Sequence, residues 1–207
     1  MSKNFDPLLS LLNPCKNTFS VIAITETWFH KDIPFDLYNI SGYTLIHRDR
    51  IDRNGGGVAM FVNNMFTFTV YDQISVTNYN SFEAMFINLC ISQAKSVNIG
   101  VLYRPPHLST SQFITDFNEM LSSYGYCSKT CYILGDLNIN LMNVENDNQC
   151  ADFMNVLYSY SLVPTVDIPT RISSTSATLI DNIITNDNYP MNSAIITMIS
   201  VITYPFA

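Results

Sequence analysis

Ionisable residues are scarce in this chain, and several stand where apolar runs end. "VIAIT" runs into Glu26, "NIGVL" into Tyr103 and Arg104, "CYIL" through Gly135 into Asp136 and Asn138, and "TLI" into Asp181. Two carboxylates that converge repel each other unless a cation sits between them or one is protonated. Mg²⁺ takes oxygen ligands and keeps several waters, so one or two carboxylates suffice to hold it. An asparagine beside an aspartate adds a neutral donor for a phosphate oxygen or a water. Together these are the parts for metal-assisted attack on a phosphodiester. The same residues also have a structural reading, in which Asp136 and Asn138 make an Asx-turn at a strand exit and Glu26 is a charge at a helix start.

Chemistry of this kind needs a rigid scaffold that exposes side chains at its rim, as strand ends do. Val21 to Thr25 is a continuous, β-branched apolar run, the pattern of a central strand. "GYTLIHRDR" is a strand start followed by a basic loop, "RDRIDRNGGG", and "GVAMFV" is a strand. "MFTFTVYDQIS" alternates, as a strand does with one face in water. "SFEAMFINLCIS" and "SVNIGVLYRP" form a hairpin joined across Gln93 to Lys95. The period then changes: Phe113, Phe117, Met120, Leu121 and Tyr124 recur at helical spacing behind a Ser109 or Thr110 cap. A short helix covers Asp6 to Leu12, with Asp6 as N-cap and Pro7 in its first turn. Another covers Cys150 to Tyr160. "ATLIDNIITN" and "SAIITMISVIT" are late strands. Many strands and few helices imply an α/β (α+β layered) domain, two sheets packed together with helices outside.

The 207 residues form one domain without repeats or linkers, and 47% apolar content supplies a core. A net charge of -7 argues against a bulk electrostatic nucleic-acid binder, but not against phosphate contact through a bound cation. The five cysteines (Cys15, Cys90, Cys127, Cys131 and Cys150) are odd in number and irregular in spacing, which fits buried thiols in a reducing compartment, nuclear or cytoplasmic. The N-terminus has no long apolar signal region, and "SAIITMISVITYPFA" is too short and too interrupted for a membrane span. The expected state is a monomer with no membrane partner.

The motifs "ITETW" (Ile24 to Trp28), "YRPP" (Tyr103 to Pro106), "GDLN" (Gly135 to Asn138) and "PTR…TSATLIDNIITN" (Pro169 to Asn186) occur in one order. As an ordered set they resemble the endonuclease/exonuclease/phosphatase superfamily, specifically the apurinic-type endonuclease domain of non-LTR (LINE-like) retrotransposons. The resemblance implies a four-layer sandwich of two β-sheets packed face to face with flanking helices. It implies Mg²⁺ (or Mn²⁺)-dependent hydrolysis of DNA phosphodiester bonds, target-site nicking, and a reverse transcriptase domain in a full-length relative. By the same resemblance Glu26 binds the metal and Tyr103 lies beside the scissile phosphate. Asp136 activates or positions the attacking water, Asn138 holds the phosphate, and Asp181 orients a catalytic histidine.

Two departures bear on activity. The family opens with a strand that carries an active-site asparagine, and "MSKNFDPLLSLL" matches the helix after it. The family also closes on Ser-Asp-His, where this chain has Ser200, Val201 and Ile202. The histidines present, His30, His47 and His107, all lie far from that place; His30 and His107 are read as surface residues, with the cleft rim as the alternative. A positioned acid/base group supplies about 10²–10⁴ in rate. The expectation is therefore a domain incomplete at both ends, over residues 1–207, with weakened nicking. The alternative is a catalytically inactive remnant that binds metal or DNA weakly. Without the opening strand, the edge of "VIAIT" is expected to lie uncovered.

Weaker signals surround these. Gly55 to Gly57 lack the Lys-Ser/Thr of a P-loop and precede a strand, so they are read as a turn. Arg48, Arg50 and Arg53 form the densest positive cluster, a solvated loop or a DNA-backbone contact. Trp28 is expected in the core, with base stacking as the alternative. Arg104 is a candidate phosphate contact beside a strand-ending Pro105–Pro106, and Arg171 is left without a role.

Overall fold

A computed structural model of the chain describes residues 5–12, 18–29, 34–49, 55–71 and 81–188. Helix α1 spans Phe5–Leu12, within one residue of the expected start. Three antiparallel strands follow: β1 (Val21–Thr25), β2 (Tyr43–Arg48) and β3 (Val58–Asn63), in the order β1-β3-β2. All six residues of β3 are buried, as befits a strand paired on both sides and covered on both faces. Those of β1 are only half-buried. The pattern of "VIAIT" is that of a central strand, yet among the described residues it is an edge strand, in line with the expectation of an uncovered edge. Its unbroken apolar run reflects cover on its two faces, not pairing along both edges.

The second sheet runs β4 (Thr67–Val70), β5 (Glu83–Ser92), β6 (Lys95–Tyr103), β7 (Cys131–Asp136), β11 (Asp181–Thr185) and β8 (Val163–Pro164), in that spatial order. Strands β9 (Arg171–Ile172) and β10 (Ala177–Thr178) form a separate two-stranded ribbon. The β5–β6 hairpin is antiparallel, as expected, with a register shift between Cys90 and Ser92. Strand β6 pairs with β7 in parallel, and the crossover between them is α2 (Thr110–Tyr124). Ser109 caps α2 by accepting the Gln112 N–H, and Gly125 ends it in a left-handed turn. Helix α3 covers Asn148–Ser159, two residues ahead of expectation, because Asp147 caps it by accepting the N–H groups of Gln149 and Cys150.

The layers follow from three apolar clusters. Val58, Met60 and Val62 of the small sheet meet Met85, Ile87, Val101 and Tyr103 of the large one, so the two sheets pack face to face. The large sheet's outer face buries Phe86, Leu102 and Ile133 against Phe113, Phe117, Phe153 and Leu157 of α2 and α3. The small sheet's outer face buries Phe61 and Tyr43 with Phe5 of α1. Helix, sheet, sheet and helices stack as the expected four-layer α/β sandwich. Among the described residues no helix is long and apolar enough to cross a membrane. The late strand "SAIITMISVIT" and the Ser200–Ile202 stretch lie outside the described residues, as do Arg50 and Arg53.

Candidate active site

Strand register brings the candidate residues to one end of the sandwich. In the parallel β6–β7 pair, Tyr103 stands opposite Asp136. In the antiparallel β7–β11 pair, Asp136 stands opposite Asp181. The sequence places Asp181 at the end of a strand, but it begins one. Because β11 runs against β7, its first residue lies beside the last residue of β7. The same logic adds a residue that sequence reasoning missed: Glu83, the first of β5, stands opposite Tyr103, the last of β6. Glu83, Tyr103, Asp136 and Asp181 thus form one row across the sheet end. Counting back along the hairpin from its turn is the signal that would have found Glu83, with allowance for the bulge.

The small sheet closes over this row through two hydrogen bonds. Tyr103 Oη donates to Glu26 Oε1, and the Gly57 N–H donates to Glu83 Oε2. Glu26 follows directly on β1, in the left-handed region at φ 53°. Its loop is held by the Thr27 N–H to Gly57 O (3.2 Å) and the Trp28 N–H to Gly56 O (2.8 Å). Gly57 itself has φ 84°, and a Cβ there would lie 2.4 Å from Thr27 Oγ1. The Gly55–Gly57 run is therefore a backbone partner for the "TETW" loop.

The other half of the site is the "GDLN" loop. A Cβ on Gly135 would lie 1.8 Å from the Leu102 carbonyl oxygen, so only glycine lets β6 and β7 close at this end. Asp136 Oδ1 accepts the Asn138 N–H at 2.9 Å. The Asx-turn of the structural reading is thus present, on residues that also sit in the acidic row. Leu137, Ile139 and Leu141 are buried beneath the loop. The Leu137 N–H donates to Ile180 O (2.8 Å) and the Leu141 N–H to Leu179 O (2.9 Å).

Arg104 corrects its expected role. It is 3% exposed and holds backbone, so it is no phosphate contact as placed. Its guanidinium donates to the carbonyls of Leu137, Asn138, Leu108 and Pro105. Asn138 Nδ2 returns a bond to Arg104 O at 2.8 Å. Thr170, of the "PTR" motif, does similar work beside β11: its Oγ1 accepts the N–H groups of Ile180 (3.2 Å) and Asp181 (3.1 Å).

Electrostatics follow from this crowding. Burial pushes the Asp136 carboxyl up to about 6, and the negative charges of Asp181 and Glu26 push the same way. The Asn138 N–H and the charge of Arg171 oppose them, which gives the exposed Arg171 a place near the site. Burial lowers the Arg104 pKa, against the attraction of Asp136 and Tyr103. Among the described residues, no three His, Cys, Asp or Glu side chains gather as a ligand set. The donors present still fit a hard divalent cation. They are carboxylate oxygens, burial together with the neighbouring charges of Asp181 and Glu26 holds Asp136 protonated in mild acid, and Mg²⁺ needs only one or two of them.

No described histidine joins the row. His47 packs edge-on to Phe29 with centroids 5.5 Å apart, and its Nδ1 lies 2.9 Å from Asp49. His107 is exposed in the loop after Pro106, and His30 lies outside the described residues. Trp28 also departs from expectation: it is 56% exposed, not in the core. The buried-thiol reading holds for Cys131 and Cys150, while Cys127 is half-buried with its Sγ 3.8 Å from that of Cys131.

No protein-family model matches the sequence, and comparison with curated proteins returns no match. Solved structures do match. The endonuclease domain of TRAS1, a telomere-specific non-LTR retrotransposon, superposes with a TM-score of 0.66 at 14% identity, over 88% of this chain and 78% of that one. The human Nocturnin catalytic domain gives 0.62 at 12% identity, over 90% and 75%. An AP endonuclease from Archaeoglobus fulgidus gives 0.61 at 12% identity, over 88% and 81%. Two face-to-face sheets and these superpositions show that the chain shares the fold of these structures, as it does that of an endonuclease/exonuclease/phosphatase family protein from Bacteroides thetaiotaomicron (TM-score 0.58, 12% identity, over 89% and 74%).

Proposed function

We propose that the chain is a retrotransposon-type endonuclease domain that hydrolyses DNA phosphodiester bonds, with nicking weakened because Val201 and Ile202 stand where the resemblance has Asp and His. The observation that carries this is the convergence of Glu26, Tyr103, Asp136 and Asp181, from four separate strand ends, at one end of a nuclease-type fold. In this reading Asp136, above its pKa of about 6, accepts a proton from the attacking water. Asn138 uses one amide hydrogen on Arg104 O, and its second is available to a phosphate oxygen. The Tyr103 hydroxyl, fixed by Glu26, lies beside the phosphate. Glu26 would hold the Mg²⁺ or Mn²⁺. A divalent cation there supplies charge neutralisation on the phosphate oxygens. Asp181 adds a like charge that helps raise Asp136.

A second reading is a catalytically inactive remnant that at most binds metal or DNA weakly. It is favoured by Val201 and Ile202, which stand where the resemblance has Asp and His. A nicking assay on supercoiled plasmid with Mg²⁺ separates the two. Nicking by the native chain that is lost in Asp136→Ala supports the endonuclease. No nicking by protein with a folded circular-dichroism spectrum supports the remnant.

A further inference from the structure

Trp28 is the chain's only tryptophan, and it stands open to solvent beside the acidic row. Tryptophan is highly buried on average, so the exposed ring is available for a contact. It flanks the buried Thr27 on one side as the exposed Glu26 does on the other. Both Glu26 and Trp28 sit in the left-handed region, at φ 53° and 57°. Such conformations are costly for residues with a Cβ and persist where the surroundings enforce them. Here the enforcement is visible: the Trp28 N–H bonds Gly56 O at 2.8 Å, and Thr27 is tied to Gly57. The indole also rests on Gly55, where a Cβ would lie 3.6–3.7 Å from its six-membered ring. One part of the ring is backed by glycine backbone and over half the residue stays open. That is a preorganised platform.

The charge of the site says what the platform is for. Glu26, Asp136 and Asp181 repel a phosphodiester, and the chain as a whole carries -7. With this balance of charge, counterion release is a small source of affinity for a nucleic acid at this site. Base–aromatic stacking is independent of charge and tolerant of sequence. We infer that Trp28 stacks on an unpaired nucleobase next to the phosphate held at Asn138 and Tyr103, and supplies a salt-independent part of substrate affinity. This rests on the nucleic-acid reading of the site proposed above.

The lone tryptophan makes the test direct. Fluorescence of Trp28, excited selectively over tyrosine, is followed as a dye-labelled single-stranded oligonucleotide is added, with anisotropy of the dye reporting binding. The control is the same sugar–phosphate chain without bases. The expected result is quenching by the base-bearing strand only. Trp28→Ala should bind that strand more weakly by on the order of 5- to 150-fold, equally at low and high salt, and Trp28→Phe should recover most of the loss. Binding by anisotropy without quenching, or unchanged affinity in Trp28→Ala, overturns the stacking role and leaves the nuclease proposal standing. No binding by the native chain, together with no plasmid nicking, overturns both.

Discussion

Arg104 and Asn138 clasp each other's backbone: the guanidinium donates to Asn138 O at 2.7 Å, and the Asn138 amide donates to Arg104 O at 2.8 Å. The clasp locks the loop after β7 to the loop after β6, so Asp136 and Tyr103 keep their spacing. Arg104→Lys cannot reproduce it, because an ammonium lacks the planar fork that reaches several carbonyls at once. The carbonyls left behind are buried acceptors, and each such loss costs about 1–3 kcal/mol. Arg104→Lys is expected to lose roughly 2–4 kcal/mol in urea denaturation. A loss below about 0.5 kcal/mol would show the clasp to be dispensable.

Gly135→Ala should be among the most damaging single changes to the fold. Its new methyl would meet the Leu102 carbonyl, which is backbone and cannot rotate away. Separation of β6 from β7 should follow, with a loss on the order of 3–5 kcal/mol and little soluble protein. A soluble variant with a native melting temperature would mean that the two strands can part here without harm.

Asp136 ties stability to pH. Its carboxyl titrates near 3.8 when unfolded and near 6 when folded, so the folded state holds the proton more tightly. The stability this gives is complete below about pH 4 and is lost as pH rises through about 6. Asp136→Asn cannot ionise, yet its Oδ1 can still accept the Asn138 N–H. In metal-free buffer the variant should exceed the native chain by on the order of 1–3 kcal/mol at pH 8. The advantage should shrink as pH falls towards 5. A gain that did not vary between pH 5 and 8 would contradict the assignment.

A divalent cation should relieve the same repulsion. Mg²⁺ at 100 times its dissociation constant stabilises by about 2.7 kcal/mol, visible as a rise in melting temperature that a chelator reverses. Glu26→Gln should abolish the rise. A thermal shift of equal size in Glu26→Gln would move the cation elsewhere.

Periodicity made most of the scaffold legible. The apolar runs became β2, β3, β5, β6 and β7, and the Phe113–Phe117–Leu121 spacing became α2 between its Ser109 cap and Gly125. Glu26, Tyr103, Asp136, Asn138 and Asp181 were legible as strand-end polar residues, with the ordered motifs as a guide to their roles. What escaped has a common cause. Glu83 depends on register, which a bulge in β5 disguises. Arg104 looks like any cation in sequence, because the carbonyls that fix it carry no residue code. Hydrophobicity places Trp28 in the core, whereas its exposure follows backbone angles that the residue type does not announce. Asp181 was put at a strand end because Leu179 and Ile180 look like strand, although both lie buried in the connection before β11.

The Glu26–Tyr103 hydrogen bond joins residues 77 positions apart, and Asp136 meets Asp181 across a further long interval. Such closures are slow, because chain entropy is spent before the distant contact forms. While the nascent chain awaits β11, the exposed faces of β5 to β7 are at risk of aggregation. The acidic row is expected to form late in folding, and the melting of the Tyr103–Glu26 contact should report loss of the whole topology and not of one loop.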